Sequence, residues 1–385
     1  MGRKFDNNKK QKSIENGFDY KQIVKPLSEW FLNHKRVLPW RENPTPYYVW
    51  VSEIMLQQTR VEAVKPYFER FITELPDVES LANCKEDRLL KLWEGLGYYN
   101  RVRNLNFAAR QIMEEYGGVI PSDYNELLKL KGIGSYTAGA ISSIAYGKSV
   151  PAVDGNVLRV ISRVSADDSD IMKQSVRKRM EARLLEVMCD EALQVNPSVF
   201  NQALMELGAM VCVPNGAPKC EECPWNAFCE ARIQNRIAQL PVKSKAKERR
   251  IENRTVLVIR DGEKVAIHKR PKKGLLAGLY EIPNIDGHLN TEEVLHFVKE
   301  LGYHPIRIQN LDPAKHIFSH IEWNMIGYVI FVEGKEFLEK DEDKMVDYLF
   351  VEADDATERY AIPSAFAKYA KYMNIPIGMD KNKDV

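Results

Sequence analysis

The chain has 385 residues, of which 44% are hydrophobic and 28% charged, with a formal net charge of +1. This length predicts two or three domains with room for buried cores, and the composition excludes a disordered or fibrous protein. No apolar run approaches the roughly 20 residues of a membrane span, so we expect no membrane partner and a cytoplasmic location.

The first 19 residues are polar and charged and predict a disordered tail. From residue 20 to residue 237 the pattern is helical, because apolar residues recur every three or four positions in segments such as 89–93 and 105–112. Turn signals separate these segments, as in Glu-Tyr-Gly-Gly at 115–118. We therefore expect an all-α domain over 20–237.

Glu53 lies in the segment Trp-Val-Ser-Glu-Ile-Met-Leu-Gln-Gln-Thr-Arg at 50–60, which predicts an amphipathic helix. One interpretation places Glu53 on the wet face of that helix, where most glutamates lie. However, Trp50, Ile54 and Met55 surround it with apolar bulk, and such surroundings raise the pKa of a carboxyl and keep it protonated. Glu53 is therefore a candidate general acid.

Residues 122–147 predict two helices, over 122–130 and 135–146, joined by the tight turn Lys-Gly-Ile-Gly at 131–134. Gly132 and Gly134 would let the N–H groups of this turn approach a phosphate, with a helix N-terminus behind them. For Gly-x-Gly alone, an ordinary helical hairpin is the simpler interpretation.

Asp154 follows the hairpin in the segment Val-Pro-Ala-Val-Asp-Gly-Asn at 150–156. The simple interpretation is that Asp154 caps a helix that begins at Gly155, as we expect Ser122 to cap the first helix of the hairpin. Taken alone, the segment favours this helix cap over a catalytic carboxylate.

Four of the six cysteines lie within eighteen residues, with the spacing C-x7-C-x2-C-x5-C. They are Cys212, Cys220, Cys223 and Cys229. Four thiolates in one loop satisfy either a tetrahedral zinc ion or a [4Fe–4S] cluster, and the spacing alone does not separate the two. Disulfides are less favoured, because we expect no secretory signal.

After a basic linker at 238–250 the periodicity changes from that of helices to that of strands. The predicted elements are strands at 255–260, 265–270, 327–332 and 348–351 and a helix near 291–301. The first two strands flank Asp261-Gly262 and predict a hairpin. We expect an α+β domain over 251–372 and a tail over 373–385.

These motifs together resemble the helix–hairpin–helix, Gly/Pro-rich, Asp superfamily of DNA glycosylases. The residues Leu-Lys-Gly-Ile-Gly-Ser-Tyr-Thr-Ala at 130–138 are similar to its DNA-gripping hairpin, and Asp154 matches its aspartate at the sugar of the lesion. With the cysteine loop added, the pattern resembles endonuclease III and MutY relatives, which implies one [4Fe–4S] cluster on the four cysteines. Two departures are the seven residues between Cys212 and Cys220, where six are usual, and Lys131, where proline is frequent.

Within that superfamily the chain resembles the MutY-type adenine glycosylases. Tyr136 stands where bifunctional relatives carry a Schiff-base lysine, which implies hydrolysis without an efficient lyase step. The resemblance makes Glu53 the acid that protonates the flipped adenine and Asp154 the anionic stabiliser of the sugar. Tyr136 and Asn156 would hold the site.

Matches at 38–41 (Leu-Pro-Trp-Arg), 57–58 (Gln-Gln) and 95–99 (Gly-Leu-Gly-Tyr-Tyr) extend the resemblance to residues that contact DNA. Gln58 and Tyr98 would wedge into the duplex around the mismatch. The DNA-binding residues implied in the helical domain are Arg41, Gln58, Tyr98, Gly132 and Gly134.

Residues 274–283, Gly-Leu-Leu-Ala-Gly-Leu-Tyr-Glu-Ile-Pro, resemble the first half of a Nudix box. The second half, at 293–302, lacks the clustered carboxylates that would hold Mg²⁺ for hydrolysis. The resemblance is therefore to the MutT-like domain of MutY relatives, which reads 8-oxoguanine through a loop that matches Phe318, Ser319 and His320.

The fold class implied is multidomain: an all-α helix–hairpin–helix glycosylase with an iron–sulfur loop, followed by an α+β Nudix-like domain. The implied function is monofunctional removal of adenine opposite 8-oxoguanine or guanine in double-stranded DNA, by a monomer associated with a bacterial nucleoid. The alternatives are a thymine or uracil mismatch glycosylase and a DNA-bound iron–sulfur damage sensor.

Overall fold

The computed structural model describes residues 17–244, 248–335 and 348–377. Most of both predicted tails and residues 245–247 of the predicted linker therefore lie outside the described residues. The chain divides into two compact units. Unit 1 comprises the described residues up to Trp50, Pro121–Lys129 and Ile133–Ser244. Unit 2 comprises Val51–Ile120, Leu130–Gly132 and the described residues from 248 onward.

The prediction of an all-α architecture over 20–237 is confirmed in the described residues. The helices are α1 Val24–His34, α2 Pro39–Glu42, α3 Pro46–Leu56, α4 Val61–Glu74, α5 Val78–Asn83, α6 Glu86–Leu92, α7 Asn100–Tyr116, α8 Tyr124–Lys129, α9 Ser135–Ala140, α10 Gly155–Val164, α11 Gln174–Met188, α12 Pro197–Met210 and α13 Glu230–Ile233. Shorter 3₁₀ turns lie at Tyr20–Ile23, Glu191–Leu193, Cys220–Glu222 and Ile237–Gln239. None of the helices that the structure describes is long and apolar enough to cross a membrane.

The predicted hairpin is present as α8 and α9, with two corrections. The cap of α8 is Asp123 and not Ser122, because Asp123 Oδ1 accepts from Asn125 N at 2.8 Å and Glu126 N at 3.1 Å. The second helix keeps α-helical geometry only to Ala140, and a π turn over Ile141–Ala145 completes it. The chain then leaves the helix through Gly147, whose φ of +66° suits glycine.

The core of unit 1 lies among α1, α10, α11 and α12. Each helix contributes apolar residues at helical spacing, such as Val157, Val160, Ile161 and Val164 of α10, all at most 1% exposed. The cysteine loop joins this core through Trp225, whose fully buried indole Nε1 donates to Ile23 O at 3.1 Å. Packing of the helices therefore fixes one side of the cysteine loop.

Glu206 of α12 is a carboxylate with 1% exposure that two arginines hold inside unit 1. Arg36 Nε donates to Oε1 at 2.8 Å, and Arg41 Nη2 donates to Oε2 at 2.9 Å. Burial opposes the charge of Glu206, but the hydrogen bonds from both arginines outweigh it and lower the pKa of Glu206 to about 2. The segment between α1 and α3 is thereby attached to α12.

The C-terminal part is the predicted α+β domain. Its strands are β1 Arg250–Asp261, β2 Lys264–Lys269, β3 Tyr280–Glu281, β4 Asn284–Asp286, β5 Tyr303–Ile317, β6 Ile321–Lys335 and β7 Leu349–Val351, and its helices are α14 Thr291–Glu300, α15 Ala353–Arg359 and α16 Ala367–Ala370. The sheet order is β3-β2-β1-β6-β5, with β4 beside β1 and β7 beside β2. The central strands β1 and β6 run parallel, with Val256 opposite Gly327, and the other pairs are antiparallel.

Both faces of this sheet are covered. Val294 and Val298 of α14 pack on one face, and Phe366 and Tyr369 pack on the other with Trp323. The missed strand β5 lies at the sheet edge and is mostly exposed, so it lacks the apolar alternation that reveals a strand in sequence.

Replacing Glu206 with alanine leaves two guanidinium groups without their carboxylate, and we expect it to lower the free energy of unfolding by about 3 kcal/mol. Because the folded-state pKa of Glu206 lies below its unfolded value, its contribution is present above about pH 4.5 and disappears as the pH falls towards 2. Urea unfolding of Glu206→Ala at pH 7 and pH 3 measures both effects. Glu29→Ala, which removes an exposed partner of Lys25, is the control and should change little.

Candidate functional site

The four clustered cysteines are free thiols, and all four line one small cavity of about 30 Å³ in unit 1. The cavity also has Arg163 and Arg232 in its wall. Among the residues that the structure describes, no group of three or more His, Cys, Asp or Glu side chains has the arrangement of a site for a single metal ion. The four cysteines that the spacing predicts to lie close together therefore line one shared cavity.

The chemistry of this cavity fits a cationic group with several thiolate ligands. Burial and the neighbouring thiols raise the pKa of Cys223 to about 12 and also raise the pKa values of Cys220 and Cys229, so the protein alone does not favour their ionisation. Arg163 Nη1 lies 3.4 Å from Cys212 Sγ and also donates to Val213 O at 3.0 Å. A bound metal or cluster would supply the remaining positive charge.

The loop with the additional residue is closed by its own backbone. Lys219 N donates to Val211 O at 3.0 Å, and Cys212 N donates to Leu207 O at 2.8 Å. Gly216 lies between these anchors with a φ of +75°. The seven intervening residues therefore form a loop outside the anchored cysteines, which is how the chain accommodates the longer spacing.

Asp154 is the N-cap of α10, as the simple interpretation predicts. Asp154 Oδ1 accepts from Val157 N at 2.8 Å, and Oδ2 accepts from Asn156 Nδ2 at 2.8 Å. Burial raises the pKa of Asp154, while these hydrogen bonds oppose that increase. The carboxylate is therefore held in one orientation, and being a cap does not exclude a chemical role.

A chain of hydrogen bonds leads from this carboxylate to the first cysteine. Asn156 Oδ1 accepts from Arg159 Nη2 at 2.9 Å, and Arg159 Nε donates to Cys212 O at 2.8 Å. Arg159 is 4% exposed and also donates to Gly208 O at 2.8 Å. A Cβ on Gly208 would lie 2.7 Å from Asn156 Cβ, so only glycine allows this approach. Sequence reasoning missed Arg159, although an arginine on the apolar face of a helix is a visible signal.

Tyr136 belongs to the same unit as Asp154 and Asn156. Its hydroxyl is half-buried and donates to Met205 Sδ of α12 at 3.6 Å. Met205 lies one helical turn before Gly208, the residue against Asn156, so α12 presents neighbouring positions to Tyr136 and Asn156.

Glu53 lies in α3 and is 6% exposed. The interpretation that places Glu53 on a solvent-exposed face is wrong, because Val51, Ser52, Ile54 and Met55 are also at most 4% exposed and this part of α3 is buried on all sides. Trp50, Ile54 and Met55, its apolar neighbours along the helix, are also buried.

Gln58 and Tyr98 are non-glycine residues in the left-handed region, with φ values of +61° and +48°. Arg101 fixes both loops by donating to five backbone carbonyls. These are Ile54 O at 2.7 Å, Met55 O at 3.0 Å, Gln57 O at 2.6 Å, Leu96 O at 3.1 Å and Gly97 O at 3.1 Å. Burial lowers the pKa of Arg101 to about 10, which leaves it charged at neutral pH. Sequence reasoning missed this residue.

Phe318, Ser319 and His320 form the tip of the β5–β6 hairpin. Phe318 packs edge-on against Trp323, with the ring centroids 4.9 Å apart, while Ser319 and His320 are exposed. Tyr98 is 47% exposed, and its hydroxyl lies 3.0 Å from Ser319 Oγ, within hydrogen-bonding distance. Unit 2 therefore brings one predicted wedge residue and one predicted lesion-reading residue into contact.

The remaining predicted DNA-binding residues have different surroundings. Arg41 binds Glu206 and also donates to Arg36 O at 3.2 Å, so its guanidinium attaches one segment of unit 1 to α12. Gly132 has a φ of +81°, and a Cβ there would lie 2.7 Å from Asn104 Cβ. Gly134 has extended backbone and is the N-cap of α9.

Residues 51–185 match the HhH-GPD family, described as the HhH-GPD superfamily base excision DNA repair protein, and residues 255–372 match the NUDIX domain. The adenine DNA glycosylase of Buchnera aphidicola subsp. Acyrthosiphon pisum is 34% identical over 301 residues, or 78% of this chain and 83% of the relative. The adenine DNA glycosylase of Mus musculus is 35% identical over 354 residues, or 77% of this chain and 68% of the relative. A solved structure of a thermostable thymine-DNA glycosylase is 27% identical and covers 56% of this chain and 96% of that chain, with a TM-score of 0.48.

We expect Asp154→Asn to fold with a stability close to that of the native protein at pH 7. Its amide oxygen keeps the cap to Val157 N and the variant loses a charge whose burial is unfavourable, but its amide nitrogen then faces Asn156 Nδ2, so one hydrogen bond is lost. Because the folded-state pKa of Asp154 is raised, its ionisation opposes folding, so the stability of the variant relative to native protein should fall as the pH falls to about 4. Urea unfolding between pH 4 and pH 8 measures the difference. Asp154→Ala, which loses the cap, should instead be less stable than Asp154→Asn by about 1 kcal/mol.

Proposed function

We propose that this chain, which belongs to the adenine DNA glycosylase family, removes adenine from double-stranded DNA by hydrolysing the N-glycosidic bond. The observation that carries the proposal is the fixed orientation of the Asp154 carboxyl, whose two oxygens accept from Val157 N and Asn156 Nδ2 at the start of α10. Glu53 supplies a second carboxyl that is 6% exposed. Glycoside hydrolysis uses one carboxyl as an acid and another as an anion.

In this reaction Glu53 donates a proton to the adenine ring, which makes the base a better leaving group. Asp154, oriented by Val157 N and Asn156 Nδ2, faces the sugar as positive charge develops on it. Tyr136 supplies a neutral hydroxyl where a lyase would need an amine, so the product is an abasic site in an uncut strand. The adenine reaches Glu53 by flipping out of the stack.

We propose that the preferred substrate is adenine opposite 8-oxoguanine, with adenine opposite guanine as a weaker one. Ser319 and His320 place a hydroxyl and an imidazole on one exposed hairpin tip, which is suitable chemistry for the O8 and N7–H edge of the lesion. The contact of Ser319 with Tyr98 supports the proposal that the hairpin tip recognises 8-oxoguanine while Tyr98 is inserted into the duplex beside it. Gln58, Gly132 and Gly134 complete the proposed DNA contacts, and Arg41 contributes by holding its segment to Glu206.

We propose that Cys212, Cys220, Cys223 and Cys229 hold one [4Fe–4S] cluster. The shared cavity and the arginine against Cys212 Sγ support this assignment. The four thiolates would ligate the iron atoms of the cluster, and this would tie the C-terminal end of unit 1 together. Residues of the chain itself, Arg159 and Asn156, transmit the position of the Cys212 backbone to Asp154.

The direct test is a single-turnover assay of base release from 8-oxoG:A, G:A and pyrimidine-mismatch duplexes, with native protein and with Glu53→Gln. We expect native protein to release adenine and leave an alkali-sensitive abasic site without nicking the strand. The amide cannot donate the proton, so Glu53→Gln should reduce the rate by about 10²–10⁴ while mismatch binding persists. Thymine or uracil release, binding without excision, or an unaffected variant would each contradict the proposal.

Changing any one of the four clustered cysteines to serine should cost both iron and soluble yield, because ligand binding is coupled to folding. Iron and sulfide analysis and the visible absorption of native protein measure the cluster. Cys84→Ser and Cys189→Ser are the matched controls and should retain both. Native protein that is colourless and carries one zinc would overturn the assignment.

Replacing both Ser319 and His320 with alanine should weaken the preference for 8-oxoG:A over G:A by about tenfold, because two hydrogen bonds to the lesion of about 0.5–1.5 kcal/mol each are lost. The rate on G:A should change much less, since neither side chain belongs to the proposed chemistry. Single-turnover rates and affinities on the two duplexes, side by side, decide the outcome. Equal losses on both would assign the hairpin tip to general DNA affinity.

A further inference from the structure

The loop that carries Tyr98 is attached to the C-terminal domain on both sides, and all of these contacts lie within unit 2. Before Tyr98, Lys91 Nζ donates to Tyr360 O at 2.9 Å, and Glu94 Oε1 accepts from Ile362 N at 2.8 Å. After Tyr98, Arg103 Nη2 donates to Ala277 O at 2.6 Å. Three separate segments of the C-terminal domain therefore contact residues 91–103, counting the contact of Tyr98 with Ser319.

The contact before Tyr98 involves two almost fully buried charges. Lys91 Nζ and Glu94 Oε2 are 2.7 Å apart, and the two side chains are 6% and 5% exposed. An ion pair between residues so close in sequence normally stays in water, because burial costs more than the pair contributes. Here the ammonium of Lys91 also donates to a carbonyl of the C-terminal domain, and the carboxylate of Glu94 also accepts from an amide of that domain. Each buried charge therefore has a second hydrogen-bond partner.

The contact after Tyr98 uses the loop that resembles a Nudix box. Gly278 has a φ of +66°, and a Cβ there would lie 3.0 Å from Arg103 Nη2. Glu86 Oε1 holds the same guanidinium through Nε at 2.7 Å. In this chain the box loop is thus a surface on which a helix docks.

We infer that Lys91, Glu94 and Arg103 are positioning residues that set the lesion-reading hairpin against Tyr98. They fix both ends of the loop that carries Tyr98 to the domain that carries Ser319, and so hold the two hydroxyls in contact before DNA arrives. Such preorganisation lowers the conformational entropy that the hairpin tip loses when it binds 8-oxoguanine. The inference rests on the proposed reading of 8-oxoguanine.

The test is the charge exchange Lys91→Glu/Glu94→Lys in the full chain. The exchanged pair can still attract each other, but it places a carboxylate against Tyr360 O and an ammonium against Ile362 N. We expect amide exchange at Ile362 to accelerate by about tenfold or more, since its acceptor is lost. The preference for 8-oxoG:A over G:A should fall by about fivefold, as for one lost hydrogen bond. The rate on G:A and the iron content should be unchanged.

Two further variants keep the experiment decisive. Glu62→Lys/Lys65→Glu exchanges an exposed pair of the same spacing in the same unit and should behave as native protein. Arg103→Met removes the contact with Ala277 O without leaving a buried charge. It should also lower the preference for 8-oxoG:A over G:A, and it provides the test if the exchange variant does not fold.

Each outcome is informative. An exchange variant that keeps both the protection of Ile362 and the substrate preference overturns the inference, because Lys91 and Glu94 would then act only on each other. Lost protection with an unchanged preference also overturns the positioning role. If native protein shows no preference for 8-oxoG:A, the proposed function fails at that point, and amide exchange alone still decides whether the attachment exists.

Discussion

A buried cation requires several oxygen acceptors at fixed distances, and the arrangement of unit 1 around α10 follows from that requirement. Arg159 and Arg163 occupy the helix among apolar residues and are 4% and 7% exposed. Their acceptors include backbone carbonyls of α12, of the cysteine loop and of Leu240. Because Asp154 caps the N-terminus of α10, one rigid helix relates the candidate carboxylate to the cysteines.

In unit 2, other buried charges are likewise held by several hydrogen-bond partners. Arg101 holds the irregular backbone on either side of Gln58 and Tyr98, where left-handed conformations would otherwise be unfavourable. Lys91 and Glu94 do the same where helical and C-terminal segments meet. In both units, therefore, buried charges order the loops that carry candidate functional residues, while apolar packing supplies the helices and the sheet that support them.

Features with local signals could be predicted from sequence. The hairpin, the helix that begins after Asp154, strands β1 and β2 and the helix α14 each have a periodicity or a cap within about ten residues. The gathering of the cysteines in one cavity followed from their spacing. Local signals fail for competing caps, as at Asp123, and for the polar edge strand β5. They also fail for partners that are distant along the chain, since Glu206 binds Arg36 across 170 positions.

The parallel pairing of β1 with β6 has a consequence for the order of folding. Arg250–Arg260 lie opposite Ile321–Phe331, so the centre of this sheet cannot form until the chain has been made beyond residue 331. Residues 51–120 belong to the unit that contains this sheet, although they are synthesised some two hundred residues earlier. During translation the residues of this segment that contact the end of the C-terminal domain, such as Lys91 and Glu94, gain those contacts only when the last quarter of the chain has been made. A ribosome stalled near residue 250 would hold a nascent chain with every cysteine already made and unit 2 still incomplete.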